Sequence, residues 1–164
     1  MKIKKYLSRF INVGSVILAL CVFASAQSSK MQSLMNEIKA EFPGRQKEIA
    51  EKCDGASVIM DVDFASFGDN YDALLRVPSQ GLKETTYGFR RFCTNSSRTS
   101  EFDVAKTAAV KAKVKKIILK HIADPAGKKV SLQNGGVVLI EMTFDKLPGG
   151  LSTTEIAARM GNIL

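Results

Sequence analysis

Few residues in this 164-residue chain are of the kind that builds common active sites. There is one histidine, His121, and there are three cysteines with no Cys-x-x-Cys spacing. A thioredoxin-like redox pair needs that spacing, and a structural zinc site needs a local His/Cys cluster. Neither chemistry is expected, and no cofactor is. No Gly-x-Ser-x-Gly elbow is present, so serine-hydrolase chemistry has no visible nucleophile. His121 then reads as structural, sitting at a helix C-terminus where it favours the dipole. Repeats and low-complexity tracts are also lacking. So is any later apolar run of the roughly 20 residues that span a bilayer.

The first 26 residues read as a cleaved secretory signal peptide. Lys2, Lys4, Lys5 and Arg9 form a basic start, Val16 to Ala24 an apolar core, and Ala24-Ser25-Ala26 a small-x-small site before Gln27. Leu18-Ala19-Leu20-Cys21 also resembles a lipobox, with anchoring at Cys21 as the minor alternative. The expected compartment is a periplasm or the outside of a cell. The leader holds four of the 24 basic side chains and none of the 16 acidic ones, leaving 20 against 16. A net charge of +8 for the whole chain therefore overstates the working protein, which is only mildly basic. Residues 27–164 suit a single domain. In an oxidising compartment its two cysteines, Cys53 and Cys93, are expected to form a disulfide.

Periodicity predicts an α+β domain: a mainly antiparallel sheet of about four strands with helices packed on one face. A helix carries Met31, Leu34, Met35, Ile38 and Phe42, is interrupted at Pro43-Gly44, and resumes over 45–53. Residues 56–67 alternate as a half-buried strand, with Val58, Met60, Val62 and Phe64 on one side. Asp69 caps a short helix ended by Pro78, and 87–94 reads as a strand. The longest helix starts at a capping box of Ser100 and Asp103 and runs to Ile122, its inward stripe being Val110, Val114, Ile117, Ile118 and His121. Strands over 128–133 and 137–145 flank Asn134-Gly135-Gly136, a hairpin signal. Ser152 and Glu155 make the capping box of a last helix.

Three features bear on function. Asp61 and Asp63, on one strand face roughly 7 Å apart, form a carboxylate pair of the type that holds a divalent cation or works as acid and base. As plain surface charges they would instead pair with Arg90, Arg91 or lysines on a neighbouring strand. Lys106, Lys113 and Lys120 map to one stripe of the long helix with Lys116 beside it. That unneutralised block points to an anionic envelope component or a partner protein. It lacks the interleaved aromatics of a single-strand nucleic-acid groove. Leu151 to Gly161 resembles the first helix and turn of a helix-turn-helix motif. No recognition helix fits before Leu164, so a nucleic-acid partner is not expected. Asn95-Ser96-Ser97 matches the glycosylation triplet, which matters only in a eukaryotic host.

The leading expectation is therefore an exported binding or interaction domain that is not an enzyme. The alternative is a small exported enzyme, such as a metal-assisted hydrolase, using Asp61 and Asp63 on the open face of the sheet.

Overall fold

Asn134-Gly135-Gly136 joins two strands because both glycines take positive φ, 78° each, which side-chain-bearing residues rarely adopt. In a computed structural model of the chain this hairpin anchors a four-stranded sheet. The structure describes residues 29–94, 102–145 and 150–164. The expected leader with Cys21, the Asn95 triplet and Ser100 lie outside the described residues. The chain divides into two units, residues 1–36 and 37–164. In the first, residues 29–36 are helical, and Gln32 Nε2 donates to Asn36 Oδ1 one turn on at 3.3 Å.

The second unit opens with helical residues 37–52 (α1). Pro43-Gly44 does not interrupt it, contrary to expectation. Arg45 bridges the step, pairing with Glu41 at 3.0 Å and Glu48 at 3.8 Å. Strand β1 (Ile59–Asp63) follows, shorter than its alternation suggests because Phe64–Phe67 closes into a 3₁₀ turn. Helix α2 (Tyr71–Leu74) is capped by Asn70 rather than Asp69, Asn70 Oδ1 accepting the Ala73 N–H at 3.0 Å. Pro78 does not stop the chain from coiling. It lies in a π-helical segment, Val77–Leu82, that runs into α3 (Lys83–Cys93).

The middle of the chain departs from expectation in two places. Residues 87–94, read as a strand, belong mostly to α3, which buries Thr85, Thr86, Phe89, Phe92 and Cys93 at helical spacing. The long helix is instead a short helix and a strand. Helix α4 (Val104–Lys113) ends at Lys113, and β2 (Lys116–His121) begins three residues later. Asp103 is itself the N-cap of α4, accepting the Lys106 N–H at 3.1 Å. Strands β3 (Lys129–Gln133) and β4 (Val137–Met142) form the hairpin, and α5 (Thr153–Ile163) closes the chain.

Strand order is β1-β2-β4-β3. The first two pairings are parallel and only β3 with β4 is antiparallel, so the sheet is mixed and mostly parallel rather than mainly antiparallel. The connection from β1 to β2 carries α2, α3 and α4, the long crossover that parallel strands require. One sheet face is buried: Met60 and Val62, Ile117 and Leu119, Val138, Ile140 and Met142 are all at most 4% exposed. Helices α3 and α5 pack on each other, and α5 also on β3. Among the described residues no helix is long and apolar enough to cross a membrane.

The expected disulfide is present: Cys53, just past α1, is bonded to Cys93, the last residue of α3, and both are fully buried. The capping box of α5 is present too. Ser152 Oγ accepts the Glu155 N–H at 3.3 Å, and Glu155 Oε2 accepts the Ser152 N–H at 2.9 Å. That N–H, then the Ser152 hydroxyl, holds the Glu155 carboxyl below its ordinary range. A depressed folded value stabilises above the unfolded pKa, and the effect disappears as pH falls through the folded one. Ser152→Ala should cost about 1 kcal/mol near neutral pH. The stability gap between wild type and Glu155→Ala should be full at neutral pH and close in acid, as read by denaturant unfolding at successive pH values. A gap that persists below the folded pKa would assign it to packing instead.

Candidate functional site

The four lysines of the predicted basic stripe do not share a helix. Lys106 is in the first turn of α4, paired with Asp103 at 2.8 Å and with its ammonium 5.8 Å from the Phe92 ring. Lys113 ends α4 and donates to the Leu164 carbonyl. Lys116 and Lys120 stand on β2, where they meet Asp61 at 2.7 Å and Glu141 at 3.4 Å. Glu141 also faces Lys129 at 3.0 Å. The block that looked unneutralised is largely neutralised, Lys116 and Lys120 by carboxylates across the sheet and Lys106 by Asp103 at the start of its own helix.

Register explains those partners. On the face opposite the buried one, Ile59, Lys116 and Val137 form one row, Asp61, Ile118 and Leu139 the next, and Asp63, Lys120 and Glu141 the third. Asp61 Oδ2 takes the Lys116 ammonium, a lysine on the neighbouring strand and not Arg90 or Arg91. Asp61 Oδ1 accepts the Val62 N–H at 2.8 Å. Because β1 is an edge strand whose residues 59, 61 and 63 face β2, the Val62 N–H points away from the sheet. The carboxylate therefore covers a donor that would otherwise invite another strand. Both Asp61 oxygens are engaged. Asp63 accepts the Ser66 hydroxyl through its carbonyl at 2.6 Å. Among the described residues no three His, Cys, Asp or Glu side chains gather into a metal-binding group.

His121 ends β2 rather than a helix. Its ring stacks on Phe67 with centroids 5.2 Å apart. Nδ1 accepts a long hydrogen bond from the Phe144 N–H at 3.4 Å, which assigns the ring proton to Nε2, 3.3 Å from Asp145 Oδ2. Asn70 Nδ2 donates to the other Asp145 oxygen, and Arg76 Nη1 to the Phe144 carbonyl at 3.0 Å. The carboxyl ends of parallel strands are where open α/β sheets usually take ligands. Here that ground is filled by a closed network that ties β2, β4 and α2 together. Both ring nitrogens of His121 have partners within the fold.

A different surface emerges on α3, one that the strand reading of 87–94 concealed. Tyr87, Arg90 and Arg91 recur at i, i+3 and i+4 and so share one side of α3, and the buried Thr94 caps its C-terminus. With Thr153, the first residue of α5, they line a cleft of about 260 Å³. Glu84 fixes its rim, its carboxylate accepting the Thr153 N–H at 2.8 Å and the Thr153 hydroxyl. The Lys83 ammonium lies 5.9 Å from the Tyr87 ring centroid. Arg90 and Arg91 are exposed, and among the described residues neither pairs with a carboxylate. The signal available in the sequence was the apolar spacing Phe89, Phe92, Cys93 with basic residues opposite. Comparison with known protein families, curated proteins and solved structures finds no match.

Proposed function

We propose that the protein is a small exported binding domain for an anionic partner, and not an enzyme. Export is supported by the three-part pattern of residues 1–26. The observation that carries the binding reading is the contrast between two sets of charges. Asp61, Asp145 and His121 are engaged by neighbours in the fold. Arg90 and Arg91 open onto a cleft and, among the described residues, have no counterion. Guanidinium groups left unpaired at a surface attract carboxylate, phosphate or sulfate and are suited to gripping them bidentately. The partner lysines of the basic stripe contribute at most to the long-range field, since three of the four already face carboxylates.

The metal-assisted hydrolase reading based on Asp61 and Asp63 gains no comparable support. Each Asp61 oxygen already has a partner, the Val62 N–H or the Lys116 ammonium, with which a cation would have to compete.

Binding to immobilised heparin, a convenient sulfated polyanion, tests the proposal. The protein should be retained at low salt and released as ionic strength rises toward about 0.15 M, where the Debye length shortens to roughly 8 Å. Retention that ignores salt, or no retention at all, would overturn it.

A further inference from the structure

The charges around the cleft go further and point to the kind of anion. Lys83, Arg90 and Arg91 bring three cations to the Tyr87 side of α3, and Glu84, whose Oε2 accepts both Thr153 bonds, offsets one of them. Glu84 accepts two hydrogen bonds from Thr153 at the start of α5, where the helix dipole also favours its charge. A single carboxylate ligand would leave much of the remaining positive charge uncompensated. A phosphate monoester, carrying about −1.5 to −2 near neutral pH, matches it. The neutral donors fit the same reading. The Thr94 hydroxyl is used on the Arg90 carbonyl at 3.0 Å and the Thr153 hydroxyl on Glu84. The Tyr87 hydroxyl, which has no partner among the described residues, lines the same cleft as the guanidiniums. Size points the same way: about 260 Å³ is below the usual range for sites that enclose a whole drug-sized ligand. It suits one tetrahedral head group.

We infer that the Tyr87–Arg90–Arg91 cleft is a phosphate-binding site, selective for a dianionic phosphoryl group over a carboxylate. The inference rests on the anion-binding reading above and deepens it. Such a group has two sources, free phosphate or the head group of a phospholipid.

Calorimetric titration at constant ionic strength, on the protein with its disulfide intact, tests the site. Inorganic phosphate should bind about tenfold more tightly than acetate, reflecting the stronger charge-assisted pairing. Arg90→Gln/Arg91→Gln should weaken phosphate by about tenfold or more. Lys47→Gln/Lys52→Gln, an equal charge change on α1, should leave it within about twofold. Vesicles containing phosphatidic acid, set against phosphatidylcholine alone, separate the two sources. Binding of either phosphate form that depends on the two arginines supports the site. Acetate binding as well as phosphate, or the arginine variant binding phosphate like wild type, overturns it. If heparin retention survives either of those outcomes, only the phosphate site has failed. If wild type is not retained on heparin, the broader anion reading has failed as well. Both arginines are exposed, so unchanged unfolding midpoints are expected and confirm that the variants are folded.

Discussion

Replacing Cys53 and Cys93 together by alanine should lower stability by about 4 kcal/mol, the loop-entropy value for a crosslink spanning 40 residues. Alanine is the cleaner choice over serine. Both positions are fully buried, and two hydroxyls there would add an unrelated desolvation cost of about 1–3 kcal/mol each. Set against the roughly 5–15 kcal/mol that holds typical domains together, the loss is large. It should appear as a fall of roughly 10–20 °C in unfolding midpoint, and reduction of the wild-type protein should reproduce most of it. An unchanged midpoint in both experiments would mean that the ends of α1 and α3 are held by packing alone.

Gly88→Ala should destabilise by about 2 kcal/mol even though alanine is the better helix former. Propensity favours the substitution by roughly 0.8–1 kcal/mol. Packing opposes it: a Cβ at Gly88 would lie 2.5 Å from Ile156 Cγ2 and 2.7 Å from Ile156 Cβ. The second distance decides the sign. Rotating the Ile156 side chain moves Cγ2 but not Cβ, so α5 itself must shift. That helix is pinned by Glu84 to α3 and packs on β3. Overpacking of this kind costs about 1–3 kcal/mol or more. Gly161→Ala in α5 is the control, because its Cβ would meet only Phe92 Cε2 at 3.9 Å. It should be neutral or stabilising by up to about 1 kcal/mol. Denaturant midpoints for the pair check both signs, and a Gly88→Ala variant as stable as wild type would show that the two helices can separate at little cost.

Features governed by neighbours along the chain were legible in the sequence. The turn at Asn134 to Gly136, the alternation of Val58, Met60 and Val62, and the capping box of Ser152 with Glu155 are all short-range arrangements. The disulfide was legible because only Cys53 and Cys93 lie beyond the expected leader. What misled were segments that satisfy two periods at once. Val110, Val114, Ile117, Ile118 and His121 make a helical stripe, yet Ile117, Leu119 and His121 also alternate. Pairing with β1 on one side and β4 on the other selects the strand, and neither partner is near in sequence. Tyr87 to Thr94 is similar, since its aromatic residues suit a strand while its burial follows a helix. Parallel pairing leaves no local mark, so the sequence alone predicts a mainly antiparallel sheet. The same errors hid the arginine cleft, because Tyr87, Arg90 and Arg91 share a side only on a helix.

The parallel pairing of β1 also sets an order in time. Met60 meets Ile117 across more than 50 residues, while β3 and β4 are joined by three. Loop closure should therefore bring the hairpin together first and β1 last, although β1 is the first strand in the chain. Until then β2 presents one unsatisfied edge. The bond between Cys53 and Cys93 shortens that wait. Once it has formed, the covalent path from Met60 to Ile117 drops from about 57 residues to about 31. By the same logarithmic scaling the closure cost falls by about half a kcal/mol, enough to speed β1 docking by roughly twofold. A crosslink that braces the finished domain is also a shortcut during its assembly.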